Sequence, residues 1–212
     1  MADAIAEMVS RIEADLGLPK NFLSDLERND DWSLVIKGHS LIEAAVNRLL
    51  FESLNKPELE PVIEKMGLGS QRGGKLAFVH ALGLLPDTLF RFVVEFAQVR
   101  NSVIHRIQNV SFTFADHIAS LNKEQLSSFA EWMRVGESAN VVRDGKTYSR
   151  REYVLAFPKF AAWAALVWTL VYIYTTKSSL NADKRLVAAK QKAGLGLIAE
   201  AMRQGNEPQA NP

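Results

Sequence analysis

The chain has no cysteine among its 212 residues, which excludes disulfides, thiolate metal sites and cysteine nucleophiles and fits a reducing compartment. Its four histidines share no i,i+4 spacing and no His-Glu-x-x-His pattern, so neither a metal site nor a cofactor is expected. No serine stands in a nucleophile elbow. An excess of one charge is also missing: the formal net charge is +1, so the molecule is no polycation and nucleic-acid contact would need a local basic patch. Strand signals are scarce. Long apolar runs are limited to Phe160–Tyr174, interrupted only by the Thr169 hydroxyl and bracketed by Lys159 and Lys177. As a helix that run spans roughly 22 Å, short of a hydrocarbon layer of roughly 30 Å. It reads as a buried bundle helix, with a membrane anchor over 160–174 as the alternative. The start, Met1 to Glu13, is an acidic amphipathic segment without the basic opening of a secretory signal, so a cytoplasmic location is expected.

What is present is helical periodicity. Apolar residues make up 48% and charged residues 23%, ordinary for a globular protein that buries its own core. The spacing predicts helices over Ala2–Leu16, from Asp31 or Ser33 to Leu54, over Lys75–Leu84, from Pro86 to about Ile107, and over Phe114–Leu121 and Lys123–Val135. Asp144-Gly145 reads as the two-residue turn of one short hairpin between Val141 and Tyr148. Ser149-Arg150-Arg151-Glu152 reads as a capping box, with Pro158 kinking or delaying the helix behind it. A last helix is predicted from Ala182 to Arg203. These elements add up to an all-α, up-and-down bundle with one hairpin-like insertion and a helical C-terminal extension. The expected division is an N-terminal helical segment over 1–28, a bundle over 29–178, a C-terminal helix over 179–204 and a disordered tail over 205–212.

The stretch Val99-Arg100-Asn101-Ser102-Val103-Ile104-His105 carries the clearest chemical signal. At about 100° per residue, Leu89, Phe92, Val93, Phe96, Val99, Val103, Ile104 and Ile107 form one apolar stripe, and Arg100 falls inside it. A guanidinium aimed toward a core needs a partner, an anion or a solvated cleft. Asn101 and His105, one turn apart, lie together on the flank. This pairing suits phosphodiester cleavage without a metal. Histidine titrates near pH 6.5 and can move a proton to or from a ribose hydroxyl. Arginine can hold the phosphate through paired donors. The plainer alternative is an arginine that snorkels or pairs with Glu43 or Glu95 beside an ordinary histidine.

Other groups are weaker. His39 and Glu43 are one turn apart and can share a face with the Arg100 helix, where Glu43 would orient Arg100 or His105; a purely structural pair is the competing reading. His80 and His117 stand alone. Gly69 to Lys75 lacks the spacing of a phosphate-binding loop and has no strand before it, so it reads as an interhelix loop. Lys184, Arg185, Lys190 and Lys192 form a basic run that RNA phosphates would find attractive, although a solvated helix face is the default for such a run.

The order of several short motifs adds a resemblance. Ile36-Lys37-Gly38-His39-Ser40-Leu41-Ile42-Glu43, then Gly74-Lys75-Leu76-Ala77 and Ala81-Leu82-Gly83-Leu84-Leu85, then the Arg100 motif together resemble the HEPN superfamily of small helical domains. The layout, over roughly residues 32 to 107, is similar to the bacterial mannitol operon repressor-like group. The resemblance implies a HEPN-like core over about a third of the chain. It further implies a metal-independent RNase, a toxin or defence effector, working as a homodimer. Arg100 would bind the scissile phosphate, Asn101 would assist and His105 would be the general acid and base. The same resemblance admits a non-catalytic regulator that binds a transcription factor. An antitoxin protein is the implied partner of the toxin.

Overall fold

The computed structural model describes residues 2–69, 73–104, 111–134 and 140–205, with side chains described over 6–69, 73–104, 111–134 and 140–187. His105 and the tail expected to be disordered lie outside the described residues, apart from Gly205. The chain folds as an all-α bundle: α1 (Ala2–Leu16), α2 (Phe22–Arg28), α3 (Asp31–Leu54), a 3₁₀ turn (Pro57–Leu59), α4 (Glu60–Lys65), α5 (Lys75–Ala81), α6 (Asp87–Ile104), α7 (Phe114–Ser120) and α8 (Lys123–Trp132), followed by a hairpin of β1 (Asn140–Arg143) and β2 (Lys146–Ser149), then α9 (Arg150–Ala156) and α10 (Pro158–Gly205).

Local chemistry sets most of these boundaries. Asp30 caps α3 by accepting from the Ser33 amide at 2.7 Å, and Asn55 ends that helix in the left-handed region at φ 50°. Asn122 with Gln125, and Ser149 with Glu152, form reciprocal capping boxes at the starts of α8 and α9. Asp144 and Gly145 both take positive φ, 50° and 74°, as a hairpin with two central residues requires. Its register pairs Arg143 with Lys146 and Asn140 with Ser149. Pro158 ends α9 rather than merely bending it, and α10 leaves at 113° to it.

The core is organised on α3 and α10, which lie side by side in the same direction. Lys159 meets Asp31 at 3.6 Å near their starts, and Lys184 meets Glu52 at 3.1 Å near the end of α3. Between these contacts Leu34, Val35, Ile42, Val46 and Leu49 bury against Ala162, Ala165, Leu166, Leu170 and Ile173. Gly38 makes the approach feasible. A Cβ there would stand 3.0 Å from Leu166 Cδ2 and 3.2 Å from Phe96 Cζ, so the absent side chain lets both α10 and α6 close on α3. Phe92 and Phe96 of α6 are fully buried and stack at 5.3 Å.

Two expected boundaries change. The helix read as separate from about residue 179 is continuous with the apolar one: α10 runs unbroken for 48 residues. The N-terminal segment is built into the bundle, since Ile12 is in the core and Asp15 bridges Arg48 at 3.0 Å and Lys177. The buried Glu13 carboxylate accepts the Asn21 and Leu23 amides at 2.9 Å each, tying α1 to the start of α2. Phe160–Tyr174 is a core helix on one face, with Trp163 donating its indole N–H to the Leu23 carbonyl at 2.7 Å. Among the described residues no single helix is long and apolar enough to cross a membrane; only α9 together with the part of α10 up to Val187, sharply bent, passes by length and composition.

Candidate functional site

Three helices converge where α3 packs against both α5 and α6. From α3 come His39 and Glu43, from α5 Lys75, and from α6 Arg100 and Asn101. The i,i+4 spacing of His39 and Glu43 places both on the side of α3 that meets the other two helices. His39 is buried.

Lys75 is the residue that sequence reasoning missed. Its side chain is 1% exposed, and its Nζ donates to Glu43 Oε1 at 2.7 Å. A lysine this dry keeps its charge only with a close partner. The signal was present but faint: Lys75, Leu76 and Val79 are the buried positions of α5, so the lysine lies on the inward face. Its backbone gives no phosphate cradle. The Lys75 and Leu76 amides donate to the Gly67 and Leu68 carbonyls, in keeping with a plain interhelix connection.

Arg100 is half-buried at the edge of the apolar stripe. Its Nη1 donates to Asn101 Oδ1 at 3.1 Å, a neutral partner. Among the described residues it forms no ion pair; Glu43, one of its two expected partners, is paired with Lys75 instead. Glu43 therefore acts on Lys75 and not on Arg100. Asn101, expected to assist Arg100 and His105, accepts from the guanidinium through its oxygen and keeps an amide nitrogen as a donor.

His39 is pushed toward its neutral form. Burial is the main cause, the positive charges of Arg100 and Lys75 add to it, and Glu43 opposes it. With a neutral imidazole and a self-cancelling Lys75–Glu43 pair, the corner holds one uncompensated positive charge, that of Arg100. Among the described residues no three histidine or carboxylate side chains cluster as metal ligands would.

The remaining expected residues stand apart. Lys184 of the basic run is tied to Glu52, so it is not a bare phosphate contact, whereas Arg185 is exposed. The side chains of Lys190 and Lys192 lie outside the described residues. His80 stacks on Phe90 at 5.0 Å and His117 on Phe129 at 5.7 Å, both packing roles. Burial alone lowers the pKa of His117.

Two hollows lie elsewhere. A groove of about 370 Å³ lies against α10, walled by Met8, Met133, Tyr153, Trp163 and Trp168. A second, of about 290 Å³, runs along another face of α6, lined by Glu95, Gln98, Ser102 and His117 over Phe129 and Trp132. Neither is lined by Arg100, Lys75, Glu43 or His39. Comparison with family models, with curated proteins and with solved structures finds no match to this chain.

Proposed function

We propose that the chain is a metal-independent endoribonuclease of the HEPN type, a toxin or defence effector that works in the cytoplasm as a homodimer. The observation that carries this reading is Arg100: a half-buried guanidinium with no ion pair among the described residues, held by Asn101 beside a neutral imidazole. Such a group is suited to binding a phosphodiester through paired donors. His105, five positions on, supplies proton transfer. The ribose 2′-oxygen attacks phosphorus as its proton leaves, the bond to the 5′-oxygen breaks, and that oxygen takes a proton. The products are a 2′,3′-cyclic phosphate and a 5′-hydroxyl.

The test is cleavage of RNA by the purified protein in EDTA, beside His105→Ala and Arg100→Ala. The wild type is expected to cut, leaving cyclic phosphate ends, and each variant to lose about a hundredfold or more of the rate. Equal cutting by all three proteins removes the proposal.

A second reading, a non-catalytic regulator resembling the mannitol operon repressor-like group, draws support from one feature. The groove on α10, with Trp168 exposed on its wall, offers apolar surface that a protein partner would bury. Retention of a transcription factor by the wild type, undiminished in His105→Ala and accompanied by no RNA cleavage, would favour it.

A further inference from the structure

The hollow of about 290 Å³ beside α6 has walls of two opposite characters. Glu95, the other partner expected for Arg100, lines it from α6 and is half-buried. Among the described residues its carboxylate makes no ion pair and no hydrogen bond. It is acceptor-only, so it gains most from a ligand that brings N–H donors. The wall from α8 is left with donors. Gln125 uses its Oε1 to accept from the Asn122 amide at 3.0 Å, which leaves its amide N–H groups. Ser128 accepts from Arg91 Nη2 at 3.2 Å, which leaves its hydroxyl proton. His117 of α7 adds one donor and one acceptor as a neutral ring. Phe129 and Trp132, edge to face at 5.0 Å, form an apolar floor.

An acceptor wall, a donor wall and an apolar floor suit a flat heteroaromatic ring, which lays one face on the floor and meets the walls with its edges. The volume stands at the small end of ligand sites, which begin at about 300 Å³, and suits a purine with its ribose. Glu95 then chooses among the bases. Both its oxygens are met only by two adjacent N–H groups. Guanine has these in N1–H and its N2 amino group, and carries the acceptors O6 and N7 further round the ring. Adenine and cytosine set an acceptor nitrogen beside their amino group, and uracil flanks its N–H with two carbonyls. Each of those would turn a lone pair toward the carboxylate. Arg91, exposed at the edge of the hollow through its bond to Ser128, places a positive charge where a phosphate would emerge and offsets the repulsion from Glu95. A free sugar would leave that cation idle.

We propose that this hollow is a binding site for the guanine base of a nucleotide, with Glu95 accepting from N1–H and N2–H, the α8 wall donating to O6 and N7, and Arg91 meeting the phosphate. Recognition of guanine stands on the hollow alone. Its use on RNA rests on the nuclease reading, where it makes the substrate a single strand that contains guanine.

The test titrates the full chain with the 5′-monophosphates of guanosine, inosine, adenosine, cytidine and uridine, following the His117 ring and Trp132 indole signals by NMR. The guanosine nucleotide is expected to move both signals and to bind at least tenfold more tightly than those of adenosine, cytidine and uridine. The inosine nucleotide, which lacks only the N2 amino group, is expected to bind about tenfold more weakly than the guanosine one, the scale of one charge-assisted hydrogen bond. Glu95→Gln is expected to bring those two within about threefold of each other at an unchanged melting temperature. A merely structural glutamate would shift the melting temperature and leave the ratio alone.

No binding of the guanosine nucleotide, equal binding of all five, equal binding of the inosine and guanosine nucleotides, or an unchanged ratio in Glu95→Gln each overturns the inference. A 2′-O-methyl RNA tetramer with a single guanine identifies the source of the base. Tighter binding than the mononucleotide assigns the site to RNA and weaker binding assigns it to free nucleotide, with guanine recognised in both. Cleavage of unmodified strands with and without guanine is measured in parallel. Cutting that ignores guanine, with no selectivity among the nucleotides, removes this inference alone. Selective binding of the guanosine nucleotide without any cutting removes the nuclease reading and leaves the guanine site.

Discussion

The corner formed by α3, α5 and α6 and the groove against α10 differ in nearly every respect. The first carries the Lys75–Glu43 pair at 2.7 Å and a buried His39 that feels the charge of Arg100. The second is a hollow of about 370 Å³ whose walls are almost wholly aliphatic and aromatic, Arg150 being the one charged residue among the described residues that line it. Volume and chemistry are thus separated between these two places. The groove offers area, whose burial is non-directional and selects little. The corner offers an unbalanced charge in a partly desolvated setting, where each electrostatic contact counts for more than in water. Function that depends on moving protons or holding phosphate belongs to a place like the corner.

The sharpest way to break this contrast is to exchange the chemistry while keeping the fold. Arg100→Ala removes a half-buried guanidinium that forms no ion pair among the described residues. It is expected to lower RNA cleavage about a hundredfold or more with the melting temperature little changed, whereas Trp168→Ala in the groove leaves cleavage at the wild-type rate. Comparable losses in both variants would erase the distinction.

The next largest effect concerns the residue between the two regions. Gly38→Val drives a side chain into Leu166 on the groove side and Phe96 on the corner side, with contacts at 3.0 and 3.2 Å already at the Cβ. A loss of about 1–3 kcal/mol in urea unfolding is expected from such overpacking. A variant as stable as wild type would show that α3 can retreat from its neighbours without penalty.

Acid should act on the corner in a recognisable way. The folded-state pKa of His39 lies below its ordinary value of 6.5, through burial first and then through Arg100 and Lys75, and that of His117 is lowered by burial. Above pH 6.5 both rings are neutral whether the chain is folded or not, and their contribution to stability is fully present. As the pH falls below 6.5 the unfolded chain takes up protons that the folded chain resists, so stability declines until the folded-state values are passed. Urea midpoints at pH 7.5, 6.5 and 5.5 should therefore fall in that order. In Arg100→Ala the NMR titration of His39 should move upward while that of His117 stays where it is. A shift in both, or in neither, would contradict the assignment of causes.

The smallest effect is expected on the open wall of the groove. Trp168→Ser should change the unfolding free energy by no more than about 0.5 kcal/mol, since the ring is half-exposed. A larger loss would mean that the groove closes in solution.

Much of this architecture is visible in the chain because its causes are local. Asp30, Asn122 and Ser149 cap helices through residues three positions on, and Asp144-Gly145 makes its turn from its own backbone preferences. Repeating apolar positions revealed α3 and α6, whereas Arg100, read from its angle as lying inside the apolar stripe, is half-buried at its edge. The extent of α10 could not be read. Its second half carries charges that suggest a new element, yet nothing between Ser178 and Ala182 stops a helix, so the backbone continues. The caps at Asn122 and Ser149 have no counterpart there.

From residues alone came the helices, their caps, the hairpin and the odd location of one arginine, since each depends on neighbours within a turn or two of backbone. The fold alone decided which carboxylate meets which cation. Glu43 and Lys75 are separated by 32 positions, and nothing in their spacing says that they touch. Only the packing of α5 against α3 brings the lysine into a dry contact with Glu43 and leaves Arg100 with Asn101, because ion pairing inside a protein is settled by distance and by access to water.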